Sequence, residues 1–157
     1  MKSIEFTVLG LPAPKGSMRA AGNRIIPSGS PQNAANLVSW EAAVANAARL
    51  ALSAIGSLGA IPFMGVPLRF TAIWRMQRPL SHFHKRGPFA GRVRDNAPKY
   101  PIGKPDTSKL LRTTEDVLTK LVFDDDARIA ETMMRKVYVD PGKEGAWIKI
   151  DQLEDKS

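Results

Sequence analysis

Asp106 is the residue that first invites a chemical reading. It stands in Lys104-Pro-Asp-Thr-Ser-Lys109, an acid set among cations, and a second group of acids, Asp124-Asp125-Asp126, follows downstream. Carboxylates gathered beside Lys and Arg are what a Mg²⁺-dependent nuclease needs. The acids hold the metal, the metal activates water and steadies the scissile phosphate, and the basic groups bind flanking phosphates. Spacing sets a condition on this. A helix between the two acid groups would hold them apart, so they meet only if the chain folds back and brings Asp106 beside the strand that Asp126 precedes. The plainer reading is that Asp106 caps a helix and the Asp run forms a solvated turn. Spacing alone leaves both open.

The charge around these acids is uneven. Residues 69–112 carry eleven Lys/Arg against Asp95 and Asp106, a balance of +9, whereas residues 1–68 carry +3 and residues 113–157 carry −4. No acid occurs between Glu41 and Asp95. A basic block of this kind suits an anionic partner, nucleic acid above all, although a solvated face that favours solubility has the same composition. The chain has no cysteine and only His82 and His84. Disulfides, thiol nucleophiles and Cys-ligated or multi-histidine zinc are therefore excluded. Its 157 residues suit one α/β domain over 1–152, with a frayed tail at 153–157. No apolar run is long enough to span a membrane and the first residues lack a signal-peptide core, so a cytoplasmic location is expected.

The elements that must position the acids follow from periodicity. Ile4, Phe6 and Val8 alternate with polar residues, as do Leu68, Phe70, Ala72, Trp74 and Met76, which predicts two half-buried strands. Arg69 and Arg75 fall on the second strand's other face. Residues 15–32 carry Lys15, Arg19 and Arg24 without a period and read as a loop. Leu37, Trp40, Val44, Ala48 and Leu52 predict a helix over 33–55, ended by Gly56 and Gly59. Residues 77–105 read as a long basic loop, with Arg78, Lys85, Arg86, Arg92 and Arg94 interleaved with His82, Phe83, His84, Phe89 and Tyr100. That mixture suits phosphate contact and base stacking. A second helix is predicted over 107–122 with Leu110, Leu111, Thr114, Leu118, Leu121 and Val122 buried, and Thr107 or Ser108 could cap it. Strands at 128–139 and 145–151, joined by Pro141-Gly142, complete an α+β layer: a small mixed sheet with two principal helices. Trp40, Trp74 and Trp147 read as core residues.

The stretch from Lys104 to Ile129 resembles the motif region of RusA-like Holliday junction resolvases. The family pattern is an Asp-x-Asp-Asn-Leu-type start, a helix containing Asp-Ala-Leu-Thr, then Asp-Asp-Ala-Gln-Val. Here stand Asp106, then Asp116-Val-Leu-Thr119, then Asp125-Asp126-Ala-Arg-Ile129. Pro14-Lys15-Gly16-Ser17-Met18-Arg19 resembles the basic motif common in phage members. The resemblance implies a small, intertwined homodimeric endonuclease that cuts four-way junctions and other branched DNA with Mg²⁺, or Mn²⁺ in its place, and with no small-molecule cofactor. By motif position it implies catalytic and metal-binding roles for Asp106, Asp125 and Asp126. Arg112 falls where the family has a catalytic Lys; it can clamp phosphate but does not release a proton. Lys15, Arg19, Arg75, Arg78, Lys85, Arg86, Lys104 and Lys109 are the expected DNA contacts.

One departure is serious: Ser108 stands where the family has a second Asp. Glu115 could substitute, because Ser108, Arg112, Glu115 and Thr119 fall on one helical stripe. Glu115 and Asp116 could equally be surface partners of Arg112 and Lys120. The alternative function is a junction- or DNA-binding protein with a weakened or lost active site.

Overall fold

The computed structural model describes residues 2–154 apart from 17 and 28. Six strands and two α-helices run in the order β1 Ser3–Leu9, β2 Met18–Ala21, β3 Arg24–Pro27, α1 Pro31–Ala54, β4 Leu68–Gln77, α2 Thr107–Leu118, β5 Ile129–Val139 and β6 Gly145–Gln152. Four strands form one mixed sheet in the order β1-β6-β4-β5. β6 pairs antiparallel with both β1 and β4, and β4 pairs parallel with β5. This is the α+β layer the periodicity predicts.

Residues 15–32 depart from their expected loop. β2 and β3 form a small antiparallel hairpin around Gly22 and Asn23, with Arg19 opposite Ile26. Four-residue strands are too short for alternation to stand out in the sequence. Of the expected tail, residues 155–157 lie outside the described residues, while the Leu153 N–H donates to the Pro67 carbonyl at 2.9 Å.

The strand periodicity is what buries the sheet's inner face. Ile4, Phe6 and Val8 of β1, Phe70, Ala72 and Trp74 of β4, and Ile148 and Ile150 of β6 join Trp40, Val44, Ala48 and Leu52 of α1 in one core. Each large apolar side chain removed from water contributes roughly 1.5–3 kcal/mol. Trp40 and Trp74 lie in that core; Trp147 is only half-buried. α1 packs on β1 and α2, and α2 also touches β5. α1 begins with Pro31 after its cap Ser30, whose hydroxyl accepts from the Asn33 N–H. It ends where Gly56 turns left-handed at φ 70° and Ser57 N–H returns to the Leu52 carbonyl at 2.8 Å. That conformation is easy only for glycine.

α2 ends at Leu118, earlier than the predicted 122. Thr119 is extended, Lys120 adopts φ 67°, and the chain turns so that Val122 and Phe123 plug the core from outside the helix. Its buried stripe is Leu110, Thr113, Thr114 and Leu118. Both threonines are buried because their hydroxyls donate to the carbonyls of Lys109 and Leu110. No helix among the described residues is long and apolar enough to cross a membrane.

Candidate active site

α2 organises the acids and bases picked from the sequence, and it sorts them by end. Asp106 is its N-cap. The backbone caps the helix, since the Asp106 carbonyl accepts from Leu110 N–H at 3.1 Å, but the carboxylate makes no capping hydrogen bond. The side chain instead lines a groove of about 650 Å³ between the start of α1, the 12–16 segment and the start of α2. Lys15, Lys104 and Lys109 line the same groove. The segment before Asp106 is held by Lys136 of β5, whose ammonium donates to the carbonyls of Gly103 and Pro105 at 2.8 and 3.0 Å. Lys136 is therefore a positioning residue that sequence reasoning missed. Its signal is weak, because nothing local distinguishes it from any other lysine on a strand.

Lys15 is fixed from two sides. Its N–H donates to Thr113 Oγ1 at 2.8 Å, and its ammonium pairs with Asp116 at 2.6 Å. The Pro14-Lys15-Gly16 motif is thereby docked on α2. Ser17 and the Arg19 side chain lie outside the described residues.

Glu115 sits in the last turn of α2, nine residues and so about 13 Å of helix rise from Asp106. It is half-buried, and its carboxyl is pushed up to about 7, first by burial, then by the charge of Asp126, then by that of Asp116. Asp126, beyond the end of α2, is thus near enough for its charge to act on Glu115. Ser108 and Arg112, on the same helical stripe, are exposed.

The three consecutive aspartates separate by role. Asp124 pairs with Arg128 at 3.0 Å and accepts from the Gly65 N–H at 3.3 Å. The Arg128 contact leads in holding its carboxyl below the usual range. Asp125 accepts from Ala127 N–H at 2.9 Å and caps the short 3₁₀ turn Asp126–Arg128. That bond, and one shared with the Asp126 carboxyl, hold Asp125 low. Asp126 is exposed, and its charge acts on Glu115. Among the described residues no three acidic or imidazole groups gather closely enough to hold a metal ion. The charge of Asp126 acts on Glu115, Asp125 shares a hydrogen bond with Asp126, and all three carry carboxylate oxygens, the donor type that suits a hard divalent cation.

The basic residues divide as well. Arg78 stacks on the Tyr138 ring at 4.3 Å and donates to the Pro98 carbonyl at 2.8 Å, so it braces the 77–105 loop. That loop is irregular but tied across itself, with His84 N–H donating to Arg92 and Arg94 N–H to His82, both at 2.8 Å. Arg92 lies over Phe89. Arg75 is half-buried on the sheet's outer face, and Lys85 and Arg86 are exposed.

A search of the curated proteins finds no match to this chain. The family model described as endodeoxyribonuclease RusA matches residues 12–150, which takes in the Lys15 motif, the groove, α2 and the acids at both of its ends. This chain belongs to the RusA family of endodeoxyribonucleases, hydrolases that act on DNA.

Proposed function

We propose that this protein is a Mg²⁺-dependent, homodimeric, cytoplasmic endonuclease that resolves Holliday junctions and other branched DNA. The single observation that carries the reading is the match to the endodeoxyribonuclease RusA family over residues 12–150, which spans the lysine groove at one end of α2 and the acids at the other. Asp126, with Asp125 beside it, and Glu115 are the residues to hold the cation, Glu115 supplying the carboxylate that Ser108 lacks. Asp106, the first acid of the family motif, stands at the other end of α2, about 13 Å of helix rise from Glu115. A bound Mg²⁺ supplies a nucleophilic water at neutral pH and charge stabilisation for the phosphorane-like transition state.

The chain's own groups do the rest. Lys104, Lys109 and Lys15 bind phosphates along the groove, and Arg112 steadies the scissile phosphate as charge builds on it. Arg112 keeps its proton, so it acts as a charge clamp and not as an acid or base. Hydrolysis joins the water oxygen to phosphorus, breaks one phosphodiester P–O bond, and delivers a proton to the departing oxygen. The test is a labelled four-way junction and a matched duplex, each with Mg²⁺ or with EDTA. Paired nicks near the branch, only with Mg²⁺, are expected; absence of nicking, or equal nicking of the duplex, overturns the reading.

A second reading is favoured by Ser108. With a neutral residue at a family acid position, the protein would bind junctions without cutting them. It predicts tight binding indifferent to Mg²⁺ and activity created by Ser108→Asp.

A further inference from the structure

The groove at the start of α2 holds more than phosphate contacts require. Its rim carries Lys104 and Lys109, with Asp106 between them in the chain and the Lys15 ammonium turned to Asp116, but much of its wall is apolar: Pro12, Pro14, Leu37 and Pro105 line it together with Ala34. Lys104 and Lys109 are exposed and have no salt bridge among the described residues. A duplex offers a groove of this width only its phosphates, because its bases are stacked inside. An unpaired nucleotide offers both a charged phosphate and a flat apolar face. The volume of about 650 Å³ falls in the range that encloses a small molecule, not a double helix. Proline rings and aliphatic side chains cover a base face without discriminating among bases.

We propose that this groove takes an unstacked nucleotide of single-stranded character at the branch point, its base against the proline wall and its phosphate on the lysine rim. This rests on the nuclease reading for its biological setting, but its test does not. The groove binds single strands through the base as well as the backbone, and duplex through the rim alone.

The experiment compares Ala34→Trp with wild type in EDTA, where no cutting occurs, using a labelled thymidine oligonucleotide and a blunt duplex. Ala34 is exposed on the first turns of α1, so the indole fills the groove without entering the core. Single-strand affinity is expected to fall about tenfold, with duplex affinity within about twofold. Equal loss for both probes, or no loss for either, overturns the proposal. If the variant does not fold, wild type is titrated into an oligonucleotide carrying a 2-aminopurine. A change in emission as the base leaves its neighbours is expected, and unchanged emission at saturation overturns the proposal. Failure in either arm leaves junction cutting by wild type intact. Failure of cutting with intact single-strand discrimination sinks only the nuclease reading.

Discussion

The two ends of α2 carry opposite chemistry, and both are arranged against the helix's own electrostatics. Its N-terminal end, where the backbone dipole is positive, meets Lys104 and Lys109 on either side of the capping Asp106, while the Lys15 ammonium reaches along the helix to Asp116. Its C-terminal end, where the dipole is negative, carries Glu115 and Asp116 and faces Asp126. A helix built for stability has the reverse pattern, worth about 0.3–1 kcal/mol per charge. Charges placed on the disfavoured side would be relieved by ligands of the opposite sign, which is the physical ground for proposing an anion at the lysine end and a cation at the acidic end. The difference teaches that one short helix can hold a basic end and an acidic end about 13 Å apart.

The contrast breaks most sharply at Asp126. Asp126→Asn is expected to lower junction cleavage about a thousandfold while preserving junction binding in EDTA; gel assays of both quantities check this. At the opposite end, Lys104→Ala with Lys109→Ala is expected to weaken junction binding and flatten its salt dependence by about two phosphate contacts. Binding isotherms across a salt series read that slope, and an unchanged slope would remove the lysine end from the DNA interface. Ser108→Asp adds a third probe. With Glu115 already in place, it is expected to lower the Mg²⁺ needed for half-maximal cleavage no more than about tenfold.

Smaller effects sharpen the same comparison through stability. The fold raises the Glu115 carboxyl from its ordinary 4.5 to about 7. The folded state then binds the extra proton, so the cost of ionising Glu115 is absent below pH 4.5, grows as pH rises, and is complete above 7. Glu115→Gln removes that cost. The variant is expected to be more stable than wild type by about 1 kcal/mol near pH 8, after allowance for screening of a half-exposed group. That advantage should vanish in denaturation curves at the acidic end. Lys136→Met loses two hydrogen bonds to backbone carbonyls and should cost about 1–2 kcal/mol. It should also loosen the segment that carries Asp106.

The long alternating strands and the α1 stripe were legible because burial on one face imposes a period that survives in the residues. The β2–β3 hairpin was not, since its strands are shorter than one clear repeat. Thr113 was not expected in the core because its fitness for burial depends on Lys109 and Lys15 supplying hydrogen-bond partners, one of them distant in the chain. At the site, Asp106 and Asp126 stood out by residue type and motif. Their different company was only partly legible: Lys104 and Lys109 flank Asp106 in the chain, but Lys15 joins its groove from a distant segment, and the effect of Asp126 on Glu115 depends on the turn at Thr119–Phe123. Asp124 looks identical to its neighbours in the sequence, and only Arg128 and Gly65 mark it as structural. Arg78 was expected on DNA, and the aromatic ring that engages it belongs to β5.

The claim that the acidic end of α2 holds the cation is tested most directly by calorimetric titration of Mn²⁺ into four proteins: wild type, Asp126→Asn, Glu115→Gln, and the Lys104→Ala, Lys109→Ala double variant. Saturable binding is predicted for wild type and the lysine variant, with binding lost in Asp126→Asn and weakened in Glu115→Gln. Binding that survives Asp126→Asn unchanged, or that wild type lacks altogether, would contradict it.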